Sequence, residues 1–295
     1  MVSLVEFLPE YHGSQLHLSN GARQQYLCAV RAFEAAMGRV TVSNLSEKLV
    51  VRWLSSYSDK VSPRTVNSKR QAILTLWDAA ARDGLCRAPD RRQVPKAREY
   101  RRLPVAWTVT EIERLICVAR TVRGELGPVP KRLWWPSMIL AVWNTGARIS
   151  AMLSARSVDC NLAERYLRLR AETDKSGCDR FFQLTDQTIA AVAGHYDPAR
   201  EHVWPWPLCK RQLWHQFRRI VSAAGLTSEA SMGLFHQLRR SSLSYTAANG
   251  GLDMARQHAG HASASTTLAS YIDPRIVEQR TAADVLPPLK IDDDS

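Results

Sequence analysis

At 295 residues the chain can hold two domains of ordinary size, each with its own core. Its 45% hydrophobic content excludes a disordered chain, and its longest apolar run, Trp134 to Trp143, is too short for a membrane span. A net charge of +12 points to a polyanionic partner.

The excess of positive charge is uneven. Residues 1–105 hold 17 Lys/Arg against 9 Asp/Glu, a net of +8, which leaves +4 for residues 106–295. Glu6 and Glu10 stand where a signal peptide would need basic residues, so the expectation is a cytoplasmic protein. Six scattered cysteines form no C-x-x-C pair and read as free thiols, with no metal site.

The first third reads as helices. Ser19 caps one running to Met37, with Tyr26, Val30 and Phe33 on one face and Gly38 at its end. A second spans about Asn44–Tyr57 through Leu45, Leu49, Val50, Trp53 and Leu54. The third starts at the cap Ser62 and Pro63, carries Val66, Ile73, Leu76 and Trp77, and stops at Gly84. Its polar face offers Arg64, Lys69 and Arg70 to a polyanion.

Residues 86–106 read as a basic linker, with Pro89, Pro95 and Pro104 among seven Lys/Arg that include Arg91 and Arg92. Such a run is either solvated or laid along phosphates. The expected division is a helical domain over 1–100, a joint at 101–107 and a second domain over 108–295.

A capping box at Thr110–Glu113 opens the second domain, followed by a helix from Lys131 to Asn144 that breaks at Thr145-Gly146. Residues 165–170 and 180–184 alternate as strands of a hairpin whose turn contains Asp174-Lys175-Ser176-Gly177. Helices are expected over about 208–224, 236–248, 252–258, 265–271 and 274–284. The fold class is therefore mainly α with a small β-sheet.

Four separated stretches carry polar chemistry: Thr145-Gly146-Ala147-Arg148, Lys175 in the turn, His236-Gln237-Leu238-Arg239, and Gly260-His261 followed ten residues later by Tyr271. In this order and spacing they resemble the tyrosine recombinase, or phage integrase, family, over about 145–275. The helical basic first domain is similar in layout to the core-binding domain of that family.

The resemblance implies a site-specific recombinase that cuts and rejoins double-stranded DNA through a 3′-phosphotyrosine, with Tyr271 as nucleophile. Arg148 and Arg239 would clamp the nonbridging oxygens, since a guanidinium is planar, always charged and bidentate toward phosphate. A phenol with a pKa near 10 needs help losing its proton, a task for His236, while His261 would donate to the phosphate and Lys175 protonate the 5′-oxygen. No metal or cofactor is implied. The partner state implied is a homotetramer on two DNA sites.

Each residue also has a plainer reading: Arg148 as a helix-end cation, His236 and Arg239 as a surface pair, His261 as a cap, Tyr271 as a packed ring. Alternative functions are a type IB topoisomerase and a non-catalytic DNA-binding relative. The chain departs from the family at Ala151, where an acid is common, at His258 before the G-H pair, and in Arg240-Ser241-Ser242 after H-x-L-R, where a histidine is more usual.

Overall fold

The computed structural model describes residues 2–100, 103–174, 177–226, 233–261 and 263–277. The chain divides into two compact units, residues 1–101 and 102–295, described separately below.

The first unit is helical. Helix α1 (Leu4–Ser14), which the sequence reading did not anticipate, is closed by a capping box. Ser3 N–H donates to Glu6 Oε2 at 2.9 Å and Glu6 N–H to Ser3 Oγ at 3.3 Å. Pro9 obscures it in the sequence, yet Leu4, Phe7, Leu8 and Tyr11 keep helical spacing and are buried. Helix α2 (Asn20–Met37) starts at Ser19 and ends at Gly38 as expected. Helix α3 (Glu47–Ser58) begins three residues later than expected, because Val42–Asn44 forms a 3-10 turn and Ser46 is the cap. Helix α4 (Pro63–Arg82) has the expected Ser62 cap and first-turn proline. Phe33 meets Trp53 edge-on at 5.2 Å in a core shared with Ile73, Leu76 and Trp77.

Residues 86–97 are not a bare strap. Glu47 accepts from Arg87 Nη1 and from Asp90 N–H, both at 2.9 Å, and Trp77 Nε1 donates to Arg87 O at 2.8 Å. Val94 is buried in the core of the first unit. Arg70, expected on the polyanion-facing side of its helix, is instead 5% exposed. Its Nε donates to Val94 O at 2.6 Å and its Nη2 to Arg91 O at 2.8 Å. The arginine is taken up by the unpaired carbonyls of an irregular segment, which must be satisfied once buried.

The second unit has α5 (Val109–Ala119), whose capping box is Thr108 with Glu111, two residues before the expected one. Two short strands, β1 (Glu125–Leu126) and β2 (Val129–Pro130), lead into α6 (Lys131–Thr145). Helix α6 is apolar on every side and accordingly lies in the middle of the core. Its Trp135 stacks on Phe217, and Phe217 on Phe235. After α7 (Ile149–Leu153) comes an antiparallel sheet of β3 (Cys160–Asn161), β4 (Tyr166–Leu169) and β5 (Arg180–Gln183). The expected hairpin is β4–β5, with Leu167 opposite Phe182 and Leu169 opposite Arg180. Helix α8 (Asp186–Ala193) was not anticipated.

Helix α9 (Lys210–Ala223) precedes α10 (Leu234–Ala259), which joins two expected helices across a break at Gly251, φ 82°. Helix α11 (Ala264–Tyr271) follows, and α10 packs on both α6 and α11. Most of the expected 274–284 helix lies outside the described residues; 274–276 form a turn. Among the described residues no helix is long and apolar enough to cross a membrane.

Arg70→Ala is expected to lower the unfolding free energy by about 1.5–3 kcal/mol, the usual worth of hydrogen bonds from a charged donor. Arg64→Ala, at an exposed position, should stay within about 0.5 kcal/mol of the parent. Urea unfolding of the two variants checks this; equal losses would remove the stapling role from Arg70.

Candidate active site

Helix α6 ends where the site begins. Gly146 is left-handed, φ 54°, and a Cβ there would come within 3.0 Å of His258 Cδ2 and 3.2 Å of Leu243 Cδ2. Only glycine meets both demands. Thr145 Oγ1 donates to Ala141 O at 2.7 Å and accepts from Ala147 N–H at 3.2 Å, which completes the turn. The chain then delivers Arg148 in extended conformation at the start of α7.

Arg148 is half-buried, and its Nη1 donates to Asp174 Oδ1 at 3.1 Å. The Asp174 side chain is fully buried, with Oδ2 2.6 Å from Arg180 Nη2. Arg180 in turn donates through Nη1 to His258 O at 3.0 Å and lies over the ring of Phe182. Asp174 and Arg180 were not singled out as site residues from the sequence. The signal was present, since Asp174 adjoins Lys175, but a turn aspartate is ordinarily a backbone cap.

Arg239, on the second turn of α10, is 1% exposed. It donates to Gly146 O, and through Nη2 to Ala259 O at 2.8 Å; the same nitrogen is 3.2 Å from His261 Nε2. Its guanidinium carbon lies 5.1 Å from the centroid of the Tyr271 ring. Burial, followed by the nearby Arg148, brings its pKa down to about 10, while Tyr271 acts to raise it.

His261 is fixed between Arg239 and Thr267, with Nδ1 3.0 Å from Thr267 Oγ1. Nε2 facing a guanidinium must accept, so Nδ1 carries the proton. His261 and His258 are each pushed down to about 4, first by burial and then by the arginines. Both are neutral at pH 7. Tyr271 closes α11 with its ring 4.8 Å from that of His261 and 6.2 Å from that of His236, centroid to centroid.

The backbone is held at Tyr271 and just beyond it. Ser244 Oγ donates to Tyr271 O at 3.1 Å and accepts from Asp273 N–H at 2.9 Å. Buried Asp273 accepts from Ala106 N–H at 2.8 Å, and Trp107 N–H donates to Ser241 Oγ at 2.7 Å. Residues 106 and 107, expected in the joint, thus belong to the second unit.

Five expected site residues, Arg148, His236, Arg239, His261 and Tyr271, therefore come together. Lys175 lies outside the described residues. Of the expected polyanion contacts, Arg64 and Arg92 are exposed, Arg91 pairs with Asp78, and Lys69 donates to Cys28 Sγ at 2.9 Å.

The helical second unit thus sets a buried arginine against the tyrosine that closes α11. The chain belongs to the phage integrase family, whose family model matches residues 107–276. A Pseudomonas syringae protein named as tyrosine recombinase XerC is 22% identical over 183 residues, 60% of this chain and 39% of that protein. The chain thus spans well under half of that relative's length. Among solved structures, a lambda integrase dimer bound to a COC′ core site has a TM-score of 0.74 at 15% identity. That match covers 99% of this chain and 98% of the other. A lambda integrase tetramer bound to a Holliday junction has a TM-score of 0.74 at 18% identity, covering 95% and 80%. The Tn1549 transposon integrase in complex with circular intermediate DNA reaches 0.69 at 13% identity, covering 96% and 98%. At these identities the likeness is one of fold.

The histidines set an acid limit. Their folded pKa values lie below the usual 6.5, so between pH 6.5 and about 4 the unfolded chain takes up protons that the folded chain refuses. Stability should be complete above pH 6.5 and fall as the pH drops, by up to about 1.4 kcal/mol per pH unit for His258 and by less for His261, whose greater exposure screens it. Urea unfolding at pH 7, 6 and 5 measures the slope. His258→Leu should lower the slope by the share of that one histidine, leaving those of His195 and His261; an unchanged slope would mean that His258 is protonated in the folded protein.

Proposed function

We propose that the protein is a site-specific recombinase that cleaves and rejoins double-stranded DNA, with Tyr271 as nucleophile. One observation carries the reading: Arg239 is buried beside Tyr271 with carbonyls, a histidine and a ring as its partners in place of a carboxylate. Its Nε finds no acceptor among the described residues. A buried cation without a counter-ion is costly, and a phosphate entering over the tyrosine would supply the missing charge.

Arg239 and half-exposed Arg148 would bind the nonbridging oxygens, where charge gathers during attack. Tyr271 Oη forms a bond to phosphorus as its proton passes to His236, and the bond from phosphorus to the 5′-oxygen breaks. Lys175 returns a proton to that oxygen. The phosphotyrosine conserves the ester, so a second 5′-hydroxyl can reverse the step without ATP. His261 accepts from Arg239 through Nε2 and so orients the clamp; it would donate to the phosphate from that edge only after taking up a proton at Nε2, which a bound anion favours. Arg64 and Arg92 are the exposed candidates for backbone contacts, each phosphate neutralised adding about −0.9 to the salt slope of binding. The active assembly would be a homotetramer on two sites; a lambda integrase is itself seen as a tetramer bound to a Holliday junction.

Tyr271→Phe removes one hydroxyl and keeps the ring under Arg239. It should bind DNA as the parent does and form no covalent adduct with a nicked suicide substrate. Adduct formation by the variant would place the nucleophile elsewhere, with Tyr245 next to be tested.

Lys175→Ala should be slowed on the order of 10²–10⁴-fold on ordinary DNA, the usual worth of general-acid help. On a strand with a bridging 5′-sulfur the leaving thiolate needs no proton, and the variant should approach the parent rate. Failure of sulfur to rescue it would exclude lysine as the acid.

A further inference from the structure

We infer that Asp174 is a positioning residue whose buried carboxylate holds Arg148 in its working orientation. The inference rests on the reading of Arg148 as a phosphate clamp.

Its two oxygens serve two arginines, Oδ1 toward Arg148 at 3.1 Å and Oδ2 toward Arg180 at 2.6 Å, and the side chain is fully buried. The position of the carboxylate is itself fixed. Asp174 N–H and Thr173 N–H both donate to Arg170 O at 3.1 Å, and Gly177 N–H donates to Asp174 O at 3.0 Å. Arg170 is anchored by a forked pair to Asp159, with Nε 2.6 Å from Oδ2 and Nη2 3.2 Å from Oδ1.

Arg148 has reason to leave. Arg180 and Arg239 are lowered in pKa first by burial and further by the charge of Arg148, which lies close enough for the repulsion to be mutual. With its side chain 21% exposed, the guanidinium has an open route to water. Without a carboxylate at its inner edge it would swing outward, because like charges in a poorly solvated pocket repel strongly. The acid is not supplied from α7, where the residue three positions after Arg148 is Ala151, fully buried. It comes from the hairpin turn, from the residue before Lys175. Arg180 balances the remaining charge of the carboxylate without itself reaching solvent, its side chain being 10% exposed.

The test compares single-turnover cleavage of an ordinary phosphodiester with that of a substrate whose scissile phosphate is a neutral methylphosphonate. Replacing a charged nonbridging oxygen by methyl removes most of the need for a cationic clamp. Asp174→Asn should be about 10- to 100-fold slower than the parent on the phosphodiester, the scale of a misplaced catalytic group, with DNA affinity little changed. On the methylphosphonate its deficit should shrink to less than about threefold. A deficit of equal size on both substrates, or no deficit on the phosphodiester, would overturn the inference, since a loss of general structure takes no account of phosphate charge.

Arg148→Ala is the control for the underlying reading. If its own deficit fails to shrink on the methylphosphonate, Arg148 is not the phosphate clamp, and that reading falls in place of the role of Asp174. Asp174→Asn leaves Arg180 unpaired and can unfold the unit. A thermal melt detects this, and Asp174→Asn with Arg180→Met then removes both buried charges and gives the same comparison on a balanced core.

Discussion

Arg239 sits out of contact with water and touches four separate parts of the second unit. Gly146 lies at the end of α6, Ala259 at the end of α10, His261 in the turn beyond, and Tyr271 at the end of α11. No single element could hold a guanidinium this way. The carbonyls at two helix ends are groups that helices leave unpaired, and they carry the negative end of each helix dipole. The cation is thus stabilised by dipoles and by a ring face, which neutralise it less completely than a carboxylate would. That residual charge is what a phosphate would neutralise under the proposed function.

Much of the surrounding sequence follows from this arrangement. Gly146 must be left-handed and must lack a Cβ, since His258 and Leu243 press against it. Ser244, on α10, ties Tyr271 and Asp273 to the helix that carries Arg239. Asp273 extends the tie to Ala106 at the start of the unit. The tyrosine is therefore positioned through its own carbonyl and through Asp273, two residues on, while its ring rests against the cation.

Charge is distributed so that the arginines remain the principal cations. Among the described residues one carboxylate, Asp174, lies with Arg148, Arg180 and Arg239, an excess of two positive charges within this group. The neighbouring histidines add nothing to it at neutral pH, because burial and the same arginines keep His258 and His261 neutral. A neutral imidazole can pass a proton or accept a hydrogen bond; a third class of cation would only deepen the repulsion that Asp174 relieves.

Helices α2 and α4, the β4–β5 hairpin and the buried α6 were legible in the sequence because each is specified locally. Ser19 and Ser62 cap, Gly38 and Gly146 stop, and apolar spacing marks the inner face. The cluster of Arg148, His236, Arg239, His261 and Tyr271 was legible only through the order of its motifs, since nothing local brings Gly146 to Ala259. Tertiary structure alone decided the rest. It turned Arg70 inward, because the irregular backbone at Arg91 and Val94 needed a donor that no neighbour in sequence could offer. It made Asp174 the partner of Arg148, 26 residues away, because a buried guanidinium takes its counter-charge from whichever segment the fold brings alongside. Local propensity records how a residue shapes its own backbone, and long-range electrostatics depend on distances that exist only once the chain is folded.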